Sequence, residues 1–502
     1  MFETLLTGDC STNARARALI AVGDASSAWR AAADQRFRGL AADTRALLLG
    51  ANRDRSSLVS DDLHLSEREE FWLAAERGFA GGITPKPPAR DDLAAVSVAL
   101  QCGNPERATA AWDRFFDGFG LRGPSIRSRS VTNEIGINAF DGVSGAPPRL
   151  RSRRHRNPLV SVVMTVHNEQ NYVRAALQSL AEQTWEHLEI IVVDDASTDA
   201  TGTIVSAMAE ADQRIMAVRR EERVGTFAAK NVGLAIARGE FLTMHDGDDW
   251  SHPSKIERSV GALLRSPRLQ AVSSHLVRIA ADTGMPTSRA IGRHVRWNPS
   301  SLLYRRSVFE TLGGYRQNLL GADCEFAARI ETAFGARAHS RMPAVLSLCT
   351  ARPGSLSQNY RSDGTAIHRV RDWERWRRDH VAALRAPKGG VLKRGDPTLA
   401  RRLRTSALPS PPSNEPVVPP ASTTALPADL PHAAMQFYAA FHGAQSRMRS
   451  ARIAQMRNTP QFRIAQIALD LFRNPLTGLY RLPPRAFTLL KQYRRRRVRN
   501  FR

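Results

Sequence analysis

Apolar and polar positions change their period twice along the 502-residue chain. Over residues 1–125, rich in Ala, Leu, Arg and Trp, apolar residues recur at helical spacing with few strand-like alternations. The stretches 23–28 (GDASSA) and 103–108 (GNPERA) read as equivalent turn-and-helix starts, the pattern of a degenerate helical-hairpin repeat or of a plain helical bundle. Residues 126–157 read as a linker, in which 147–156 (PPRLRSRRHR) holds five Arg, two Pro and no acid.

From Pro158 strands alternate with single helices. Residues 159–166 (LVSVVMTV) and 188–193 (LEIIVV) are short apolar, β-branched runs suited to buried parallel strands. Residues 214–220 and 240–244 supply a third and a fourth strand. Between them lie a helix capped by Asn171, with Val173, Ala176, Leu177 and Leu180 on one face, a helix capped by Asp199, and a helix over 226–238 stopped by Gly239. Pro253 stands where a further helix begins. This alternation predicts an open α/β sheet with right-handed crossovers over 158–385. A Pro-rich linker follows over 386–432, with eight Pro in residues 406–431, and then a helical, basic tail over 433–502.

Charge modifies this picture in one respect. The chain carries 72 Lys+Arg against 48 Asp+Glu, a formal net charge of +24, and only six of the cations are Lys. Residues 158–363 hold 23 Lys+Arg and 22 Asp+Glu, whereas residues 433–502 hold 15 Lys+Arg and one Asp. The charge therefore lies outside the α/β region. A basic nucleic-acid-binding protein with a non-catalytic α/β domain is the competing class, but no RNA-binding signature or basic-aromatic interleaving supports it, and no nucleic acid is expected. In the tail, residues 461–473 leave a broad apolar helical face upstream of Arg494–Arg497, the two-signal pattern of an anionic membrane surface contact. Residues 1–20 carry no secretory pattern, and no apolar run reaches the ~18 residues of a membrane span, so the expected location is cytoplasmic, with a peripheral membrane position through the tail. Cys10, Cys102, Cys324 and Cys349 form no CxxC and read as reduced thiols.

Open α/β sheets bind ligands at the carboxyl ends of their strands. Two such ends carry clustered acids: Asp194-Asp195, and Asp246-Gly247-Asp248-Asp249. Bound hard divalent cations relieve repulsion between neighbouring carboxylates, and such ions bind through one or two carboxylates plus substrate phosphates. That chemistry points to a nucleotide diphosphate substrate and to Mn²⁺ or Mg²⁺. Neither GxxxxGK[ST] nor a GxGxxG after the first strand is present, which disfavours an ATPase or an NAD-dependent dehydrogenase.

The motifs LVSVVMTVHN (159–168), IVVDDASTD (191–199), AKNVGLAIARGEF (229–241), HDGDDW (245–250), SLLYRRSVFETLGGY (301–315) and GADCEFAARI (321–330) stand in an order that resembles glycosyltransferase family 2. The resemblance covers residues 158–363 and extends to bacterial enzymes that build surface polysaccharides. It implies a GT-A fold, that is, an α/β open mixed sheet, here flanked by the all-α N-terminal region and the basic helical tail. It also implies a metal-dependent inverting transfer from a nucleotide-sugar donor, most commonly a UDP-sugar, to a glycan or lipid-linked acceptor.

By the same resemblance Thr165 lies against the base, Asp195 accepts a ring N–H of the base and Asp194 supports the turn. Lys230 stands near the donor or is an ordinary helix-surface lysine. Asp248 ligates the metal, Asp246 contacts the ribose or the metal shell, and Asp249 is a helix-entry acid. Asp323 resembles the catalytic base; Glu325, two residues on, competes with it, and Ala322 stands where relatives often have another acid. Trp297, with His294 and Arg296, is a candidate acceptor contact or a core residue. Residues 358–362 (QNYRS) lack the QxxRW of processive synthases, so transfer of one or a few sugars is expected.

Overall fold

The computed structural model describes residues 65–76, 86–127, 136–143, 157–352 except 289 and 318–320, 366–385 and 391–405, with single positions 16, 28, 29, 32, 40, 48 and 49. The readings of residues 23–27, of 358–362, of the Pro-rich stretch and of the tail lie outside these residues.

Helices α1 (Glu67–Glu76), α2 (Asp92–Gln101) and α3 (Pro105–Asp117) occupy the N-terminal region. Asp91 caps α2 by accepting the Ala94 N–H, and Asn104 caps α3 by accepting that of Arg107, with Pro105 in the first turn. The turn read at 103–108 is thus a helix start, with Gly103 at φ +64°. Trp72, Trp112 and Phe116 are fully buried, in one cluster with Trp250, Val277, Ile279, Leu346 and Leu348. The N-terminal helices therefore complete the core of the α/β region. The expected linker is also shorter than 126–157. Strand β1 (Pro124–Ile126) pairs with β2 (Phe140–Val143), because Ile137 and Phe140 bury against the same cluster, Phe140 edge-on to Trp250 at 5.5 Å.

The main sheet begins with β3 (Val160–Val166), all seven residues buried, followed by α4 (Val173–Ala181), β4 (Leu188–Asp194), α5 (Thr201–Ala211), β5 (Ile215–Arg219), α6 (Thr226–Ile236) and β6 (Phe241–Asp246). These four strands are parallel in the order β5-β4-β3-β6. Asn171 does not cap α4: its cap position is Tyr172, without a side-chain bond, and the Asn171 carbonyl accepts Asn138 Nδ2 at 2.6 Å. Asp199 does accept the Thr201 N–H at the start of α5. Gly239 ends the α6 connection where a Cβ would meet Ser161 N at 2.5 Å.

Beyond β6 the sheet becomes mixed. Strands β7 (Asp249–Ser251), β8 (Ala271–Ala280), β9 (Pro286–Thr287), β10 (Arg296–Arg305) and β11 (His339–Ala351) extend it as β6-β10-β8-β11-β7, with β9 on β8. Helix α7 (Lys255–Arg265) follows β7, while α8 (Arg306–Leu312) and α9 (Ala322–Phe334) join β10 to β11. Helix α10 (Ala366–Leu384) comes next, and α11 (Pro397–Leu403) closes the described chain. Described residues packed on the α/β region thus continue past the expected boundary at 385. Leu399 and Leu403, one turn apart, are buried against α8, α9 and α10, and Thr405 Oγ1 donates to the Gly314 carbonyl at 2.8 Å. No helix among the described residues is long and apolar enough to cross a membrane.

His294 fastens the N-terminal helices to the sheet. Its buried ring packs tilted against Trp72, with centroids 3.7 Å apart, and Trp72 Nε1 donates to Asp91 Oδ2 at 3.0 Å. His294 is therefore a packing residue and not an acceptor contact. Burial holds its imidazole down at about 3, so the fold keeps it neutral while the unfolded chain protonates near 6.5. Its stabilising contribution is complete above that value and falls by about 1.4 kcal/mol per pH unit on acidification. His294→Phe is expected to retain roughly 2 kcal/mol of the stability that the wild-type chain loses between pH 7 and pH 5, read from urea unfolding at both pH values.

Candidate active site

The parallel register brings the carboxyl ends of β3, β4 and β6 together: Thr165 lies opposite Asp246, and Val166 opposite Asp194. Thr165 Oγ1 is 3.1 Å from Thr226 Oγ1 at the start of α6. Asp194 Oδ1 accepts the Ser197 N–H at 2.9 Å, and Ala196 takes φ +59° in that turn. Asp195 accepts the Val224 and Gly225 N–H groups, one on each oxygen, at 2.8 Å. Both oxygens retain a lone pair for a further donor.

Lys230 is not a surface lysine. It is buried on α6, and its Nζ lies 2.7 Å from Asp246 Oδ1 and 5.4 Å from the Phe227 ring centroid. Burial alone pushes the Asp246 carboxyl up, but the Lys230 ammonium and its hydrogen bond outweigh that and hold it at about 2. Lys230 in turn is raised: burial works against its charge and Asp246 more than restores it.

The turn from β6 to β7 requires Gly247, where a Cβ would come within 2.7 Å of Val166 Cγ1. Asp249 begins strand β7, opposite Cys349 of β11, and its Oδ1 accepts the Thr350 N–H at 3.2 Å. It is not a helix-entry acid, since α7 starts only at Lys255. Asp248 Oδ2 lies 3.1 Å from Arg352 Nε, while its carbonyl accepts the Thr350 hydroxyl. Arg352 Nη2 also binds Glu169 Oε1, from the loop after β3, and its guanidinium lies 5.4 Å from the Tyr172 ring centroid. Glu169 and Arg352 were not among the sequence candidates. The only signal was an acid three residues beyond the first strand.

These carboxylates crowd one another. Burial, then Asp248, raises Glu169 to about 8; burial, then Asp248 and Asp246, raises Asp249 to about 8; burial and Asp246 push Asp248 up as well. Glu169 Oε2 is buried with no hydrogen-bond partner. Among the described residues no group of three His, Cys, Asp or Glu side chains is closed enough to be a metal site. The converging donors are nonetheless all oxygen, with one buried atom unpartnered, and such a set fits a hard divalent cation.

Asp323 sits in the first turn of α9, partly exposed. Its Oδ1 accepts the Cys324 N–H at 2.8 Å, and its Oδ2 lies 3.4 Å from Ser300 Oγ on β10. The antiparallel pairing of β10 with β6 brings Ser300 toward Asp246, whose carboxyl it helps to lower, so Ser300 stands near both carboxylates. Glu325 has no place in this site. It is fully buried, held by Arg329 Nη2 and His380 Nε2 at 2.9 Å each and by Arg316 Nε at 3.3 Å. Two positions along a helix turn side chains ~200° apart, which separates it from Asp323. Trp297 is a packing residue too: its Nε1 donates to Ser273 Oγ at 2.8 Å, and the Arg341 guanidinium covers its ring at 4.1 Å.

Residues 161–328 match the family described as Glycosyl transferase family 2. In Bacillus subtilis (strain 168), the "Putative glycosyltransferase EpsH" is 40% identical over 101 residues, 20% of this chain and 29% of that protein. The "Putative teichuronic acid biosynthesis glycosyltransferase TuaG" of the same organism is 32% identical over 157 residues, 31% of this chain and 60% of that protein. The chain thus spans less than two thirds of either relative. Among solved structures, S. aureus TarS 1-349 in complex with UDP-GlcNAc superposes with a TM-score of 0.36 at 19% identity, covering 49% of this chain and 71% of that one.

The contrast between Asp323 and Glu325 is open to direct measurement. Glu325→Ala leaves the buried Arg329 without its carboxylate, while Arg316 keeps Asp379, and is expected to cost about 3 kcal/mol or more. Asp323→Asn should change stability by less than about 1 kcal/mol. Comparing the two urea midpoints checks both.

Proposed function

We propose, for a chain whose residues 161–328 form a family 2 glycosyltransferase domain, that it transfers a sugar from a nucleotide-diphosphate donor to a hydroxyl of a glycan or lipid-linked acceptor with inversion. The observation that carries this reading is Asp323, with Oδ2 3.4 Å from Ser300 Oγ on the strand that pairs with β6, the strand leading into the acidic turn. It sets a partly exposed carboxylate beside the acidic turn, at the strand ends where an α/β sheet binds its ligand.

In this reading Asp323 takes the proton of the acceptor hydroxyl as that oxygen attacks the anomeric carbon. The bond from that carbon to the diphosphate oxygen breaks, and the nucleoside diphosphate leaves on the opposite side. Thr165 lies against the base. Asp195 accepts a ring N–H through a lone pair its backbone partners leave free, and Asp194 holds the turn beneath it. Lys230 keeps Asp246 ionised and oriented toward the donor. Asp248 and Asp246 would hold Mn²⁺ or Mg²⁺, which when bound neutralises charge on the leaving diphosphate. A UDP-sugar is the first donor to try.

Two further features support a cell-envelope setting. TuaG is named for teichuronic acid biosynthesis, and a surface polymer of that kind offers sugar hydroxyls as acceptors. The 15 Lys+Arg of residues 433–502, against one Asp, suit an anionic membrane surface on the cytoplasmic side, where lipid-linked acceptors would lie.

Screening UDP-, GDP- and dTDP-sugars with Mn²⁺ for donor hydrolysis and for a donor-dependent rise in Tm tests the reading; no response to any donor would sink it. Asp323→Asn is expected to lower kcat by about 10²–10⁴-fold while leaving nucleotide affinity within a few-fold of wild type.

A further inference from the structure

Glu169 and Arg352 come from opposite ends of the sheet region, 183 residues apart in sequence, and meet over the acidic turn. The Arg352 guanidinium engages two carboxylates at once, Glu169 through Nη2 and Asp248 through Nε. Its own position is fixed by β11, where the neighbouring Thr350 binds the Asp248 carbonyl through its hydroxyl and the Asp249 carboxylate through its N–H. The Glu169 carboxylate is nearly enclosed, with 12% of its side chain exposed, and its second oxygen is buried and unpartnered. An arginine fork that leaves one buried oxygen unmet is not the full complement of this pair.

We propose that Glu169 is a further carboxylate of the divalent-cation site, acting with Asp248, and that the Arg352 guanidinium holds this pair until the cation displaces it. The inference rests on the metal-dependent reading above and adds a ligand and an exchange to it. The exchange follows from charge. A dication and a guanidinium repel strongly at such short range even at the effective dielectric constant of a protein site, so the two cations do not share the same carboxylate oxygens. Oxygen donors satisfy a hard dication and a guanidinium alike, and the dication gains the lone pairs that the planar fork cannot reach.

The test is Mn²⁺ binding by the full chain, with Mn²⁺ as the only added ligand, followed through the paramagnetic resonance signal of the free ion. Arg352→Ala is expected to tighten Mn²⁺ binding at least tenfold over wild type. Adding Glu169→Gln to that variant should weaken it again at least tenfold. Arg352→Lys, which keeps the charge without the fork, should fall between wild type and Arg352→Ala, and melting curves identify any variant that does not fold. Unchanged or weaker Mn²⁺ affinity in folded Arg352→Ala and Arg352→Lys, or an affinity indifferent to Glu169, overturns the inference. Failure of the wild-type chain to bind UDP in the presence of Mn²⁺ would instead overturn the nucleotide-sugar reading, so the two outcomes are separable.

Discussion

Four carboxylates gather where β3 and β6 end: Glu169, Asp246, Asp248 and Asp249. Much of the surrounding structure is arranged around their mutual repulsion. Lys230, brought in by α6, binds Asp246, and Arg352, at the end of β11, binds Glu169 and Asp248. Arg278 acts on Asp248 and Asp249 from farther off, and Lys255 lies near Asp246 and Asp249, yet burial and mutual repulsion still outweigh these cations at Glu169, Asp248 and Asp249. In a partly buried site the remaining charge is met by protons or by a further cation. The upward displacement of Glu169, Asp248 and Asp249 expresses the first solution. A phosphate-bearing ligand makes the second the better one, because protonated carboxyls offer a diphosphate no counter-charge.

The parallel half of the sheet was legible because its strands are buried on both faces. β3 and β4 have no exposed residue, so apolar β-branched side chains dominate them; Ser161 and Glu189 are buried among these as a hydrogen-bonded pair, and the clustered acids stand where the runs stop. That is why Asp194, Asp195 and the Asp246–Asp249 turn could be placed from the sequence. What escaped depends on contacts between distant segments. The pairing of β7 with β11 makes Asp249 a strand residue, and no local pattern announces a three-residue strand whose partner lies about a hundred positions away. Glu169 and Arg352 escaped for the same reason. The N-terminal helices carry an apolar stripe that could equally have packed on itself, and only the shared cluster with Trp250 and Val277 shows that they complete the sheet's core.

Asp323 and Glu325 show how little residue type decides at such a site. Both are acids in the first turn of α9. One faces the strand ends and is restrained only by Ser300 and its neighbour's N–H. The other faces inward, where two arginines and His380 neutralise it. Burial pushes the Glu325 carboxyl up, but Arg329 and His380 outweigh burial and hold it below its usual range. A carboxylate bound that firmly is a poor proton acceptor. Its contribution is mechanical, tying α10 to α9 and so fixing the helix that presents Asp323.

The charge of the whole chain has little bearing on this chemistry. Residues 158–363 are nearly neutral, and the excess of cations lies elsewhere. Fields from distant arginines are screened within about 10 Å at moderate salt, so they cannot offset four acids at the strand ends. In the proposed reaction a donor diphosphate would meet these acids with Lys230 and Arg352 both already engaged. On the proposed exchange, a divalent cation arriving with the diphosphate would remove that obstacle, and the displaced Arg352 would be a second cation beside it. The Arg352 bridge between Glu169 and Asp248 holds the acidic turn to the end of β11. Without Arg352 the same acids would be pushed up further still, since its charge is one of the causes that lower Glu169 and Asp248.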